Sequence, residues 1–118
     1  MKTLNELKEI ARSFFIENGM TENGNDYFTS EKFEITTETR FNIFTKTEME
    51  YTTRNGLTIT ITEVHRSNGT EANQSINVAV TEWERNSGRT VYAEKIYSRN
   101  SDKKIAAQLA SVLTAYNN

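Results

Sequence analysis

Cysteine and proline are both absent from the 118 residues. Without cysteine there is no disulfide framework, no thiolate metal ligand and no sulfur nucleophile, and the composition suits a reducing compartment. Without proline, strand edges lose one of the residues that discourage pairing between chains. Histidine and tryptophan occur once each, as His65 and Trp83. A lone histidine beside no evident nucleophile reads as an exposed strand residue rather than a catalytic base. Long apolar runs are also missing. Glu6, Lys8, Glu9 and Arg12 interrupt the first twenty residues, which argues against a signal peptide or membrane span and for a cytoplasmic protein with no membrane partner. Asn68-Gly69-Thr70 and Asn73-Gln74-Ser75 match the glycosylation pattern, but with no secretory segment they read as chance.

Chemical motifs are equally sparse. The segment GMTENGNDY offers oxygen ligands but lacks the EF-hand spacing and its terminal glutamate clamp, and it lacks the Gly-Lys-Ser/Thr ending of a phosphate loop. Glu48 and Glu50 share a strand face, and Glu82 and Glu94 fall on neighbouring strands. Carboxylate pairs perform acid–base work only in a pocket that splits their pKa values; on a wet sheet they are solubilising charge. The expectation is therefore no enzyme, no metal and no cofactor.

Threonine and asparagine are abundant. Threonine suits half-exposed strands and asparagine suits tight turns. The net charge is −2, with six Lys+Arg against ten Asp+Glu in residues 1–53 and eight against six in residues 54–118. This asymmetry reads as solvated surface, with a mildly basic C-terminal half.

A chain of this length is one domain. Thr3 and Glu6 form a Thr-x-x-Glu capping box, Leu4, Leu7, Ile10, Ala11 and Phe14 follow at helical spacing, and Asn18-Gly19 is a stop. A helix is predicted over 4–18. Ser101 caps a second helix over 102–116, with Asp102 in its first turn and an apolar stripe through Ile105, Leu109, Val112, Leu113 and Tyr116. From Tyr27 to Tyr97 the period is two, giving strands around Phe33–Ile35, at 40–53, at Leu57–Ile61, at 74–85 and at Val91–Tyr97. Within EMEYTTRNGLTITIT, a two-residue Asn55-Gly56 turn would put the apolar residues on opposite faces. A three-residue Arg54-Asn55-Gly56 loop, with Gly56 at positive φ, sets Thr53 opposite Leu57, Tyr51 opposite Ile59 and Met49 opposite Ile61. Matching Ile59 to Ile76 and Leu57 to Val78 next requires a bulge near Thr62-Glu63 or an irregular loop across 66–74. A loop at Asn86-Ser87-Gly88 then pairs Val78 with Ile96, Val80 with Glu94, Trp83 with Val91, Thr81 with Ala93 and Asn77 with Tyr97.

These elements predict an α+β two-layer sandwich: a five-stranded antiparallel β-meander (27–98) with the N- and C-terminal helices packed on one face. That face carries Phe41, Ile43, Met49, Tyr51, Leu57, Ile59, Ile61, Ile76, Val78, Val80 and Ile96. The other is a threonine ladder with one apolar end, formed by Trp83, Val91, Ala93 and Tyr97 and rimmed by Arg85, Arg89 and Arg99. Trp, Tyr and Arg are the residues enriched at binding hot spots. A covered Trp83, with Tyr27 and Phe28 of the 19–30 loop folded over it, is the bland alternative. Three functional classes follow. One is a protein-interaction module of the inhibitor, adaptor, immunity or phage-modulator kind, binding a protein through Trp83, Arg85, Arg89, Val91, Ala93 and Tyr97. The second binds single-stranded nucleic acid through Trp83, Tyr92, Tyr97, Arg85, Arg89, Lys95, Arg99, Lys103 and Lys104, although Glu82, Glu84 and Glu94 sit among them. The third self-associates, as a homodimer or assembly, through an edge strand or the Trp83 face.

Overall fold

The structure, a computed structural model, describes residues 2–24, 26–65 and 74–118. It is an α+β fold in which two helices pack against a curled antiparallel sheet. Helix α1 spans Leu4–Glu17 with both halves of the Thr3–Glu6 capping box formed. It ends at Asn18, and Gly19 takes φ +88°. Helix α2 spans Asp102–Asn117, and the Ser101 side chain accepts a hydrogen bond from the Lys104 backbone N–H. The buried stripes are Leu4, Leu7, Ala11 and Phe15 on α1 and Ile105, Leu109, Val112 and Tyr116 on α2.

The strands are β1 (Thr21–Glu22), β2 (Tyr27–Thr29), β3 (Phe33–Asn42), β4 (Thr47–Val64), β5 (Ser75–Glu84) and β6 (Ser87–Tyr97). They lie in the order β1-β2-β4-β5-β6, with β3 also on β4. Strand β4 organises everything. Its first half pairs with β3, from Asn42↔Thr47 to Phe33↔Gly56. Its second half pairs with β5, from Gly56↔Trp83 to Val64↔Ser75, and with β2 through Phe28↔Ile59. Ile59, Ile61, Ile76, Val78, Val80, Ile96 and Phe28 share the face beneath the helices and are buried. Each contributes roughly 1.5–3 kcal/mol on leaving water.

Three register expectations are corrected. The chain runs straight through Arg54-Asn55-Gly56 and turns at residues 43–46, inside the segment expected to be one strand over 40–53. Thr53 therefore faces Thr36, Tyr51 faces Glu38 and Met49 faces Arg40, not Leu57, Ile59 and Ile61. The signal for this turn is Asn42, whose side-chain oxygen accepts from the N–H groups of Phe44 (2.9 Å) and Thr45 (3.3 Å), an Asx-type turn. Gly56 does take positive φ, at +112°, but for close approach: an added Cβ would stand 1.9 Å from the Lys32 carbonyl oxygen. Second, β4 and β5 pair without interruption through Thr62 and Glu63, matching Ile59 with Val80 and Ile61 with Val78, so no bulge forms there. The loop expected around Ser67-Asn68-Gly69 lies outside the described residues. Third, β5 and β6 join through Arg85-Asn86, both at positive φ, rather than through Asn86-Ser87-Gly88. Two-residue turns of this kind match the twist of the strands. Here Asn86 also ties the turn to β4, donating to the Thr52 carbonyl and accepting from the Arg54 N–H, each at 2.8 Å. A register shift between Val80 and Thr81 leaves Val91 unpaired as a bulge. Trp83 thus faces Gly88, Val80 faces Tyr92, Val78 faces Glu94 and Ser75 faces Tyr97.

Lengths explain what stays uncovered. An 18-residue strand extends about 60 Å, whereas helices of 14 and 16 residues reach only about 21–24 Å. The helices sit over the second half of β4 and over β5 and β6. The first half of β4, with β3, projects beyond them as a two-stranded arm, and the molecule measures 58 × 33 × 20 Å.

Candidate interaction surface

Strand β3 is exposed from Glu34 to Phe41, and residues Thr47–Thr52 of β4 are exposed as well. The arm is about 30 Å long and has solvent on both faces. Alternating threonines keep it extended, because β-branched residues fit the pleat without needing cover. Its apolar residues are the anomaly. Phe44 is 91 % exposed at the tip, Ile43 71 % and Phe41 61 %, and Ile35, Met49 and Tyr51 are exposed behind them. The four residues Phe41, Ile43, Met49 and Tyr51 were expected under the helices; the turn at 43–46 carries them past the helix ends instead.

The two faces of the arm differ. One holds Glu38, Arg40, Met49 and Tyr51. There the Arg40 guanidinium lies 5.1 Å from the centre of the Tyr51 ring and pairs with Glu38 at 3.0 Å, which holds the Glu38 carboxyl below its ordinary range. The other face holds Phe33, Ile35, Phe41 and Arg54, and it continues into the open face of the sheet, because Phe33, Gly56 and Trp83 stand side by side across β3, β4 and β5. At this base Trp83 donates its indole N–H to the Thr58 hydroxyl at 3.0 Å, lies over Gly88 and has the Arg54 guanidinium 5.9 Å from its ring. Tyr27 packs edge-on against Phe33 at 5.8 Å, and burial raises its hydroxyl pKa, while nearby Arg54 pulls it down.

The residues singled out from sequence do not form one patch. Trp83 lies at the arm's base, whereas Tyr97 lies opposite Ser75 at the other end of β5, about 27 Å away, with its ring between Lys95 (5.5 Å) and Arg99 (4.2 Å). Ala93 is exposed beside Ala79, and Val91 is exposed in the bulge. Arg89 pairs with Glu82 at 3.3 Å, on the face opposite Trp83, and Arg85 occupies the turn. Tyr92 lies on the helix face, packs against the core and donates to Glu94 at 2.7 Å. Lys103 and Lys104 are in the first turn of α2. The basic residues are thus dispersed rather than aligned along one groove. Phe28 is buried in the core and does not cover Trp83; Tyr27 is the member of that loop on the open face. Arg54, read from sequence as a loop residue, is the cation that accompanies Trp83.

Two other clusters have structural explanations. His65 contacts Glu63 at 2.8 Å, and Lys8 bridges Glu63 (3.1 Å) and Asp26 (2.8 Å), tying α1 to the sheet. Hydrogen bonds from His65 and Lys8 lower the Glu63 pKa. A groove of about 680 Å³ between α1 and α2 has Ile10, Phe14 and Ile105 in its walls and an acidic rim. Three of its rim carboxylates have partners: Glu6 closes the capping box, Glu9 pairs with Arg12, and Asp102 pairs with Lys2. Among the described residues no three His, Cys, Asp or Glu side chains stand together as a metal site, and no helix is long and apolar enough to cross a membrane. No protein-family model, curated protein or solved structure matches the chain.

Proposed function

We propose that this protein is a small non-enzymatic interaction module that grips another protein through the β3–β4 arm. The observation that carries this reading is a ribbon exposed on both faces that ends in Phe41, Ile43 and Phe44. A two-stranded ribbon is marginal in water on its own, and clustered exposed apolar residues mark interaction sites. The residue types are those that anchor interfaces: Phe, Tyr and Met on the arm, with Trp83 and Arg54 at its base. The contact surface therefore shifts from the expected group of Trp83, Arg85, Arg89, Val91, Ala93 and Tyr97 to Trp83 with Arg54, Phe33 and the arm. Nucleic acid has less support as a partner, because the arm carries Glu34, Glu38, Glu48 and Glu50 against Arg40, Lys46 and Arg54.

The test is affinity capture of interacting protein, comparing the unaltered chain with Phe41→Ser/Phe44→Ser. Both residues are exposed, so the circular dichroism spectrum is expected to stay unchanged while capture falls at least tenfold. Equal capture by the two forms would remove the arm from the contact.

A further inference from the structure

We propose that a second copy of this chain is the arm's partner, joined through the outer edge of β3 in an antiparallel two-fold register centred on Thr37. This rests on the reading of the arm as the contact element and names what it contacts. Strand β3 pairs with β4 alone, so its outer edge presents backbone N–H and C=O groups with no strand beside them among the described residues. Such an edge is a template for another strand unless something blunts it. Proline is absent, no bulge interrupts the β3–β4 ladder, and β3 is ten residues long.

The β3 sequence FEITTETRFN is self-complementary in one register. With the two-fold axis through Thr37, Phe33 lies opposite the partner's Phe41 and Glu34 opposite the partner's Arg40. Ile35 then faces Thr39, Thr36 faces Glu38, and Thr37 faces itself. Two-fold symmetry makes each unlike pair occur twice. Aromatic pairs and opposite charges directly across a ladder stabilise pairing, and like charges oppose it. Neighbouring registers fail that test. Centring on Glu38 sets Glu38 against its own copy, and centring on Thr36 sets Glu34 against Glu38. Centring between Thr37 and Glu38 sets Glu34 against Phe41 and Ile35 against Arg40. The Thr37 register also brings the tip of each arm level with residues 30–31 at the base of the other, so Ile43 and Phe44 meet a protein surface rather than water. On one face it lines up Phe33, Ile35 and Phe41 of both copies, with Thr37 and Thr39 between them, and each Phe33–Phe41 pair lies across Gly56 from Trp83.

Because the chain has no cysteine, a single introduced thiol reports the register directly. Directly opposed residues in an antiparallel pair have Cα atoms about 4.5–5.5 Å apart, within the range of about 4.4–6.8 Å that a disulfide spans. Thr37→Cys is expected to form a disulfide-linked dimer rapidly in a glutathione redox buffer. Thr52→Cys lies opposite Thr37 on β4, three strand spacings or about 14 Å from its own copy, and is expected to stay unlinked. In parallel, light scattering and sedimentation of the unaltered chain should show a dimer. Glu34→Arg and Arg40→Glu should each weaken the dimer at least tenfold, and the two together should restore it by exchanging the charges. The proposal is overturned by a monomer at all concentrations, by Thr52→Cys linking as fast as Thr37→Cys, or by a double charge exchange that fails to rescue. A monomer whose capture of a different protein still depends on Phe41 and Phe44 would refute the dimer and leave the interaction reading standing. Loss of both would refute both.

Discussion

Replacing Gly56 by alanine tests the junction where β4 passes from one partner strand to the next. The backbone there has φ +112°, a conformation that L side chains rarely adopt, and such strain costs about 1–3 kcal/mol. The new Cβ would stand 1.9 Å from the Lys32 carbonyl oxygen and 2.9 Å from the Phe33 Cα. Both neighbours are backbone, so no rotamer change relieves the contact. The Lys32–Phe33 segment has to move, and the 3.1 Å hydrogen bond from the Leu57 N–H to the Lys32 oxygen goes with it, a further loss of about 0.5–1.5 kcal/mol. The reduced entropy of the unfolded chain returns about 0.4–1 kcal/mol, leaving a net destabilisation near 2–3 kcal/mol. Two other glycines isolate the terms. Gly19 has φ +88° with nothing within 4 Å of its would-be Cβ, so Gly19→Ala carries the strain alone, about 1 kcal/mol. Gly88 has ordinary φ and meets only the Trp83 ring, at 3.0 Å. Gly88→Ala should therefore cost less than about 1 kcal/mol and should shift the Trp83 emission. Urea unfolding of the three variants measures the series, and hydrogen exchange across residues 33–56 locates the damage. If Gly56→Ala proves no more costly than Gly19→Ala, the close approach of Lys32 is not what this position requires.

The Lys8 cluster gives a pH dependence of two signs. The Glu63 pKa is depressed by His65 and Lys8, so its contribution is present above the ordinary carboxylate range and is lost as pH falls through the lowered value. The Lys8 pKa is raised by Asp26 and Glu63, so its contribution is complete below the ordinary lysine value and is lost as pH rises through the raised one. Lys8→Met should cost about 0.5–1 kcal/mol near neutrality and flatten both limbs of stability against pH; parallel curves for the two proteins would contradict the linkage. Thr58 is fully buried and accepts the Trp83 indole N–H. Thr58→Val, nearly isosteric, should cost about 1–2 kcal/mol and change the Trp83 emission, whereas unchanged fluorescence would remove that hydrogen bond. The Ser75 hydroxyl is buried with no hydrogen-bond partner among the described residues. Ser75→Ala should be neutral or stabilising by up to about 1 kcal/mol, and a marked loss in the urea midpoint would reveal a partner.

Both helices were legible in the sequence because everything that defines them lies within a few residues. Thr3 and Glu6 satisfy each other's backbone groups, Ser101 caps its own first turn, and the apolar stripes repeat every three or four positions. The core half of the sheet was legible for a similar reason. A period of two sends Leu57, Ile59, Ile61, Ile76, Val78, Val80 and Ile96 to one side wherever the strands pair, and they do share a face.

Register and cover were decided only by the tertiary structure. Residues 40–53 alternate without a break and so read as one strand, whereas the four-residue turn at 43–46 pairs odd positions with even ones and sends Phe41 to one face of the arm and Met49 and Tyr51 to the other. Placing the turn at 43–46 rather than 54–56 depended on Asn42 bonding to Phe44 and Thr45, and on β5 and β2 both lying against residues 56–64 of β4. The candidate site divides in the same way. Trp83 was visible as the sole tryptophan on the open face, but its cation, Arg54, comes from a strand that the sequence had bent into a loop. The arm was invisible as a surface because Phe41, Ile43, Met49 and Tyr51 carry the pattern of buried strand residues. Pattern records which way a side chain points. Whether anything lies above it depends on how far two short helices reach along one long strand, a matter of three-dimensional length that no local signal carries.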